Sequence, residues 1–389
     1  MPQHYRHLGE FSDWVAAAQQ QQALWPLALP GPDTQTRVRE VLGFCNGDDA
    51  PQDVRIERQW QTDSANGLIG EEISWSVGFG PRTKAWLFKP AHANGPLPGI
   101  LALHDHGGFK FYGKEKISAG PDAIPPVLKR YHERYYGGRA YVNALAQEGF
   151  AVLVHDALMW GSRKFAFASI PKYIRDHSEA AKSSWQPTDD TPYEIAEYNA
   201  AAAHHEHLVA KYANVLGSNL AGMVCHEDRV ALNYLRSRAD IDNTRVGCIG
   251  LSGGGNRAAM LNATHNGIAA AVIVGLMSTY AALLDHNMSH TWMLFPNDWS
   301  RYGDWPDLAA CRAPSPLLVQ YDEEDELFTP QGMRDAHIRL RNLFASTGQP
   351  DSYDGQFYPG PHKFDLIMQR AAFDWLKQKL SSDKSHFLR

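Results

Sequence analysis

Residues 245–258 read Arg-Val-Gly-Cys-Ile-Gly-Leu-Ser-Gly-Gly-Gly-Asn-Arg-Ala, and within them Gly250-Leu251-Ser252-Gly253-Gly254 fits the pattern G-x-S-x-G. An apolar, strand-like run precedes this serine and a helix-compatible stretch follows it. Small neighbours are what a serine needs on a tight strand-to-helix turn, because the backbone there is strained and side chains would clash. Such a turn lifts the hydroxyl above the sheet, next to a helix N-terminus that favours developing negative charge. Ser252 is therefore the candidate nucleophile of an acyl transfer. A hydroxyl needs a base to act in that role, and the base needs a group to orient it. His362, in Tyr358-Pro359-Gly360-Pro361-His362-Lys363, sits after an apolar strand end and a Pro/Gly turn, on a loop before an amphipathic stretch at 366–380.

The acid is expected on the loop after the preceding strand, where Asp322, Glu323, Glu324, Asp325 and Glu326 compete. Asp325 is favoured because it falls where the chain turns, just before Leu327 and Phe328 re-enter the core; Glu324 and Asp322 are the alternatives. An oxyanion also needs donors. Leu103-His104-Asp105-His106-Gly107-Gly108 follows another apolar strand and offers the backbone N–H of His106, with Gly107 second, while Gly253 supplies the other donor. Phe109, Trp160, Trp292 and Trp305 are candidate pocket walls, from aromatic character and chain position. This chemistry calls for no cofactor and no metal.

These residues need a frame that brings them together. Residues 99–103, 151–154, 246–249, 271–274 and 317–319 are continuous apolar runs of the kind buried on both faces of a parallel sheet. Helix-like stretches such as 138–147 and 227–238 separate them, which argues for an α/β architecture with helices on both faces. Ahead of them, 72–77 and 85–88 read as a hairpin. Residues 1–53 form a helical preface, in which Phe11, Trp14, Val15 and Ala18 recur at helical spacing with Ser12 or Asp13 as a cap. The remainder, 54–389, is one domain, interrupted at about 162–223 by an insertion with the length and helical polar composition of a cap.

With these pieces in place the chain resembles the α/β-hydrolase superfamily, in particular its dienelactone-hydrolase-like and acetyl xylan esterase-like branch. The resemblance rests on 104–108 with Gly113-Lys114-Glu115-Lys116, on 240–255 around the serine, on Ala313-Pro314-Ser315-Pro316 through Phe328, and on 359–364. It implies an eight-stranded, mostly parallel sheet and hydrolysis of ester bonds. Two features depart from it: dienelactone hydrolases carry cysteine where this chain has Ser252, and secreted acetyl xylan esterases carry an export signal that residues 1–10 do not resemble.

Composition narrows the field of partners to a small-molecule ester. The formal net charge of -6, without basic runs, gives no footprint for nucleic acid or an anionic membrane. No apolar stretch approaches the ~18 residues that span a bilayer. Cys45, Cys225, Cys248 and Cys311 lie far apart without zinc-like spacing, as expected of reduced thiols in a cytoplasmic protein; homo-oligomerisation is left open. Three rivals stand beside the esterase: a serine peptidase or amidase on the same triad, a non-catalytic binding module, and a zinc hydrolase. The last would draw on His104, Asp105, His106 and Asp156 or on His204, His205, Glu206 and His207.

Overall fold

The structure is a computed structural model that describes residues 5–43, 49–62, 67–93, 95–179, 191–287 and 290–381. Cys45 and part of the expected insertion lie outside the described residues. Nine strands form one sheet: β1 (Gln52–Gln61), β2 (Leu68–Ser76), β3 (Thr83–Pro90), β4 (Leu97–Leu103), β5 (Ala151–His155), β6 (Ile241–Leu251), β7 (Ala270–Val274), β8 (Leu317–Asp322) and β9 (Tyr353–Tyr358), in the spatial order β1-β2-β3-β5-β4-β6-β7-β8-β9. The pairings from β1 to β3 and from β3 to β5 are antiparallel, and all those from β5 through β9 are parallel.

The five apolar runs became β4 to β8 because alternate residues feed two different cores. Leu101, Leu103, Leu153, Val246, Cys248, Ala271, Ile273, Leu317 and Val319 face one side. Their sequence neighbours Ile100, Ala102, Val152, Val154, Ile249, Val272, Val274 and Leu318 face the other. The first side is covered by helices Pro32–Leu42, Leu220–Ser237, Gly253–Thr264, Trp305–Ala310 and Pro330–Ser346, the second by Tyr141–Gln147 and Leu366–Lys379. Burial on both faces leaves no polar alternation to see, which is why these strands read as continuous runs.

Three expectations need correcting. The sheet has nine strands rather than eight: β1 is an edge strand, exposed along nearly its whole length, so its polar sequence carries no burial signal. The boundary set at residue 53 falls inside that strand. In the preface, helix Asp13–Gln21 buries no residue and leaves Phe11 and Trp14 exposed. Ser12 does not cap it; its hydroxyl donates to the Gly9 carbonyl (2.7 Å) and accepts from the Tyr5 N–H (3.0 Å). The preface is anchored by the next helix instead, where Val38 and Leu42 enter the core and Arg39 donates to the Thr264 carbonyl at 2.7 and 3.0 Å.

The order of the strands sets the place of the site. From β4 the chain winds first to β5 on one side and then to β6 on the other, so the loops leaving β4 and β6 part company above the sheet. Crevices at such a reversal, at the carboxyl ends of the strands, are where open α/β sheets hold ligands. Register pairs Leu103 with Gly250, which puts the loop beginning at His104 beside Ser252.

Beneath that crevice lies a buried ionic anchor. Arg257, on the helix after the serine, donates to both carboxylate oxygens of Asp228, as close as 2.6 Å, and to the His104 carbonyl at 3.0 Å. Asp228 also meets His155 Nε2 at 3.0 Å, and all these side chains are buried. Breaking such a pair by removing one partner leaves an uncompensated charge, at a cost of ~3–5 kcal/mol. Asp228→Ala is therefore expected to lower the unfolding free energy by about that amount, read from the urea midpoint.

Candidate active site

Ser252 follows β6 directly, at the cap of helix Gly253–Thr264, with φ 56° and ψ −123°, a region few non-glycine residues tolerate. The surroundings hold it there. Its N–H donates to the Val274 carbonyl at 2.8 Å and its own carbonyl accepts from Asn256 at 2.9 Å. The flanking glycines are required by close approach rather than by their own torsions. A Cβ on Gly250 would lie 2.3 Å from the Gly254 carbonyl carbon, and one on Gly254 would lie 2.1 Å from the Leu103 oxygen. A Cβ on Gly253 would lie 2.6 Å from the His106 nitrogen, so the two expected oxyanion donors sit side by side.

His362 lies on the loop after β9, and its Nδ1 meets Asp325 Oδ2 at 2.6 Å. Against a carboxylate this nitrogen carries the proton, leaving Nε2 as the acceptor. Burial pushes the imidazole pKa down, but the hydrogen bond and charge of Asp325 outweigh it and hold the pKa above its ordinary value of 6.5. Asp325 is buried on the turn after β8, while Glu323, Glu324 and Glu326 are exposed. Asp322, the other alternative, ends β8 and accepts from the Lys363 N–H at 3.1 Å instead of from the imidazole. Burial pushes its carboxyl up to about 7.

Ser252, Gly253, His106, Gly107 and His362 line one cavity of about 210 Å³, closed by Tyr131, Tyr135, Leu276, His290, Thr291, Leu294, Leu327 and Phe328. The four aromatic candidates do not line it. Phe109 packs against Tyr112 and Tyr131 in a satellite core. Trp160 is buried behind the 104–108 loop, with its ring edge on His106 and its N–H on the His106 carbonyl (3.3 Å). Trp305 is in the main core, and Trp292 turns outward to donate to His207 Nδ1 at 2.8 Å. Bulky aromatic rings went where their apolar area was best covered. The aromatic walls are instead Tyr131 and Tyr135, spaced four apart on helix Pro126–Tyr136, and Phe328 beside the acid. That i, i+4 tyrosine pair was the visible signal.

The histidine-rich helix has a different role from metal binding. It is Tyr193–Val215, in the expected insertion, and its side chains diverge. His205 meets the ring of Phe165, and His207 accepts from Trp292. Glu206 accepts from Lys110 Nζ (2.5 Å), His106 Nε2 (2.8 Å), the Thr291 hydroxyl (2.6 Å) and the Trp292 N–H (3.1 Å). His106 Nδ1 accepts from the Gly108 N–H, so the proton it gives Glu206 is on Nε2. Lys110 and His106 hold the Glu206 carboxyl well below the ordinary range despite its burial. Among the described residues, the one cluster with metal-ligand spacing is Asp322, Asp325 and His362, the groups that serve the imidazole.

Comparison with known proteins agrees with this architecture. No protein-family model matches the chain. YtaP of Bacillus subtilis (strain 168), provisionally named a hydrolase, is 22% identical over 274 residues, 70% of this chain and 75% of YtaP. A protein from Bacteroides fragilis NCTC 9343, provisionally named an acetyl xylan esterase, superposes with a TM-score of 0.61 at 16% identity, over 91% of this chain and 83% of its own. A glucuronoyl esterase from Solibacter usitatus gives 0.60 at 15% identity, over 89% and 91%. Acetyl xylan esterase 1 from Thermoanaerobacterium sp. JW/SL YS485 gives 0.54 at 14%, over 93% and 98%. Sheet order, the serine turn after β6 and these superpositions together show that the chain has the α/β-hydrolase fold.

Proposed function

We propose that the protein is a serine carboxylic-ester hydrolase acting through an acyl-enzyme on Ser252. The observation that carries this reading is the 2.6 Å bond from His362 Nδ1 to buried Asp325, in the same small cavity as a serine held in left-handed backbone. His362 Nε2 takes the Ser252 proton as the oxygen attacks the ester carbonyl. The N–H groups of Gly253 and His106 receive the oxyanion. The imidazolium, steadied by Asp325, then protonates the leaving alcohol as the C–O bond breaks. Water repeats the cycle with His362 as base, releasing the acid and restoring the serine.

The cavity favours a small acyl group, because Leu276, Leu294, Leu327 and Phe328 close on a volume of about 210 Å³. The names of the structural neighbours, acetyl xylan and glucuronoyl esterases, support sugar esters as the substrate class. Helix Tyr193–Val215 backs the cavity through Glu206, which holds the lining residues His106 and Thr291, and this backing supports a cap role for the 162–223 insertion. No helix of the described residues is long and apolar enough to cross a membrane. The buried thiols of Cys248 and Cys311, both pushed up by burial, are unreactive and accord with a cytoplasmic setting.

Hydrolysis of p-nitrophenyl esters from acetate to octanoate tests the reading. Wild type is expected to prefer acetate, and Ser252→Ala to lose kcat by on the order of 10⁵–10⁶-fold. Unchanged turnover in the variant would remove Ser252 from the mechanism. The pH profile gives a second check. The base must be neutral, so kcat/KM rises with pH through the His362 ionisation. Since that pKa is raised, the acid limb should have its midpoint above 6.5. Asp322 titrates beside it at about 7, so the limb belongs to the pair. Asp325→Asn removes the largest attraction and leaves burial opposed only by the lesser pull of Asp322 and Asp105, so the limb should move to lower pH, with kcat reduced by on the order of 10⁴.

A further inference from the structure

We propose that Lys116 is a positioning residue for the oxyanion hole, fixing by its grip on two carbonyls which way the His106 and Gly107 N–H groups point. The inference rests on the esterase reading above and adds to it a residue that never touches substrate.

Lys116 is fully buried, yet its ammonium is not spent on a simple ion pair. It donates to the Asp105 main-chain carbonyl, to the His106 carbonyl at 3.2 Å and to Asp105 Oδ2 at 3.3 Å. The Phe109 N–H (3.2 Å) and Trp160 Nε1 (3.3 Å) also donate to the His106 carbonyl, and His104 Nδ1 lies 3.0 Å from the Asp105 carbonyl, but Lys116 is the group that bridges the two. The peptides on either side of His106 are trans, in which C=O and N–H point in opposite directions. Turning the Asp105 carbonyl toward the ammonium therefore turns the His106 N–H away from it. That nitrogen lies beside Gly253, 2.6 Å from where a Cβ there would sit. Capture of the His106 carbonyl fixes the next peptide, and so the Gly107 N–H, in the same way.

The loop has an intrinsic need for such a clamp. Gly107 and Gly108 both have positive φ, 57° and 62°, and glycine backbone is free to take other torsions. A flip of either peptide would replace a donor by a carbonyl oxygen at the place where negative charge develops. The Asp105 carboxylate keeps the ammonium in place and is itself held by the Tyr131 and Tyr136 hydroxyls, the latter at 2.5 Å. A charged donor on a carbonyl is also stronger than a neutral one and polarises the peptide toward a better N–H donor.

Lys116→Met removes the charged donor that bridges the two carbonyls and leaves each to its neutral partners alone. The expected result is a fall in kcat of ~100- to 1,000-fold, the loss typical of one oxyanion donor. KM should stay within about threefold of wild type, because the ground-state ester does not use the hole fully. A trifluoromethyl ketone, which forms a tetrahedral oxyanion on the serine, should lose affinity by the same factor as kcat. The downfield proton resonance of His362 Nδ1 should remain, showing an intact triad. Should Lys116→Met not fold, Lys116→Gln keeps one short donor and is expected to show a smaller loss in the same two quantities. Wild-type kcat and ketone affinity in either folded variant would overturn the proposal, as would a loss accompanied by disappearance of the His362 resonance. Ser252→Ala run alongside separates the two readings. If it keeps turnover, the esterase reading fails and this one with it; if it is inactive while Lys116→Met is not, only the clamp is wrong.

Discussion

Everything in this active site follows from one backbone conformation that an L-residue resists. Ser252 at φ 56° stores strain, and strain persists only where the surroundings over-determine it. Here β7 takes its N–H, the following helix takes its carbonyl and leaves Gly250 no room for a Cβ, and the end of β4 with its loop does the same to Gly253 and Gly254. The same crowding that strains the serine brings the His106 nitrogen against Gly253. The proposed nucleophile and oxyanion donors are thus products of a single packing constraint, and the strand order that opens the crevice between β4 and β6 makes it available.

Around that turn the fold places buried charge where a simple hydrolase core would use leucine. Arg257 ties the nucleophile helix to the His104 carbonyl, Lys116 holds the next two carbonyls, and Lys110 meets Glu206 a few residues on. Buried ion pairs are weak evidence for stability, because desolvation offsets much of the attraction. Their value here is directional. Each cation bonds to main-chain or loop oxygens, and a glycine-containing loop that must present N–H groups in fixed directions gains definition that apolar contacts do not supply.

The residues that meet in the cavity could be picked out in the sequence because they lie in short-range patterns. G-x-S-x-G between a strand and a helix, and a histidine after a Pro/Gly turn, are local signals, and five buried strands announced themselves as apolar runs. Asp325 could be preferred over its acidic neighbours only by where the chain should turn, and the structure distinguishes them by burial and by the 2.6 Å bond to His362. What the sequence hid were non-local choices. Edge strand β1 has no apolar pattern, since it buries almost nothing. Trp160 and Trp305 are as aromatic as any pocket wall, and only the three-dimensional packing sends them to the core while Tyr131 and Tyr135 reach the cavity. Glu206, in a histidine-rich run that suggested metal, is decided by partners from segments about 100 and 85 residues away.

The four donors on Glu206 bear on how the cavity is held together. They come from the loop that carries the oxyanion donors and from the 291–292 segment that closes the cavity, and they meet on a helix of the insertion. Moving that helix away would break all four of these bonds at once and open the buried Lys110 ammonium and Glu206 carboxylate to water. The described part of the insertion thus braces the cavity from behind, and a substitution that shifted this helix would be felt in the direction of the His106 N–H.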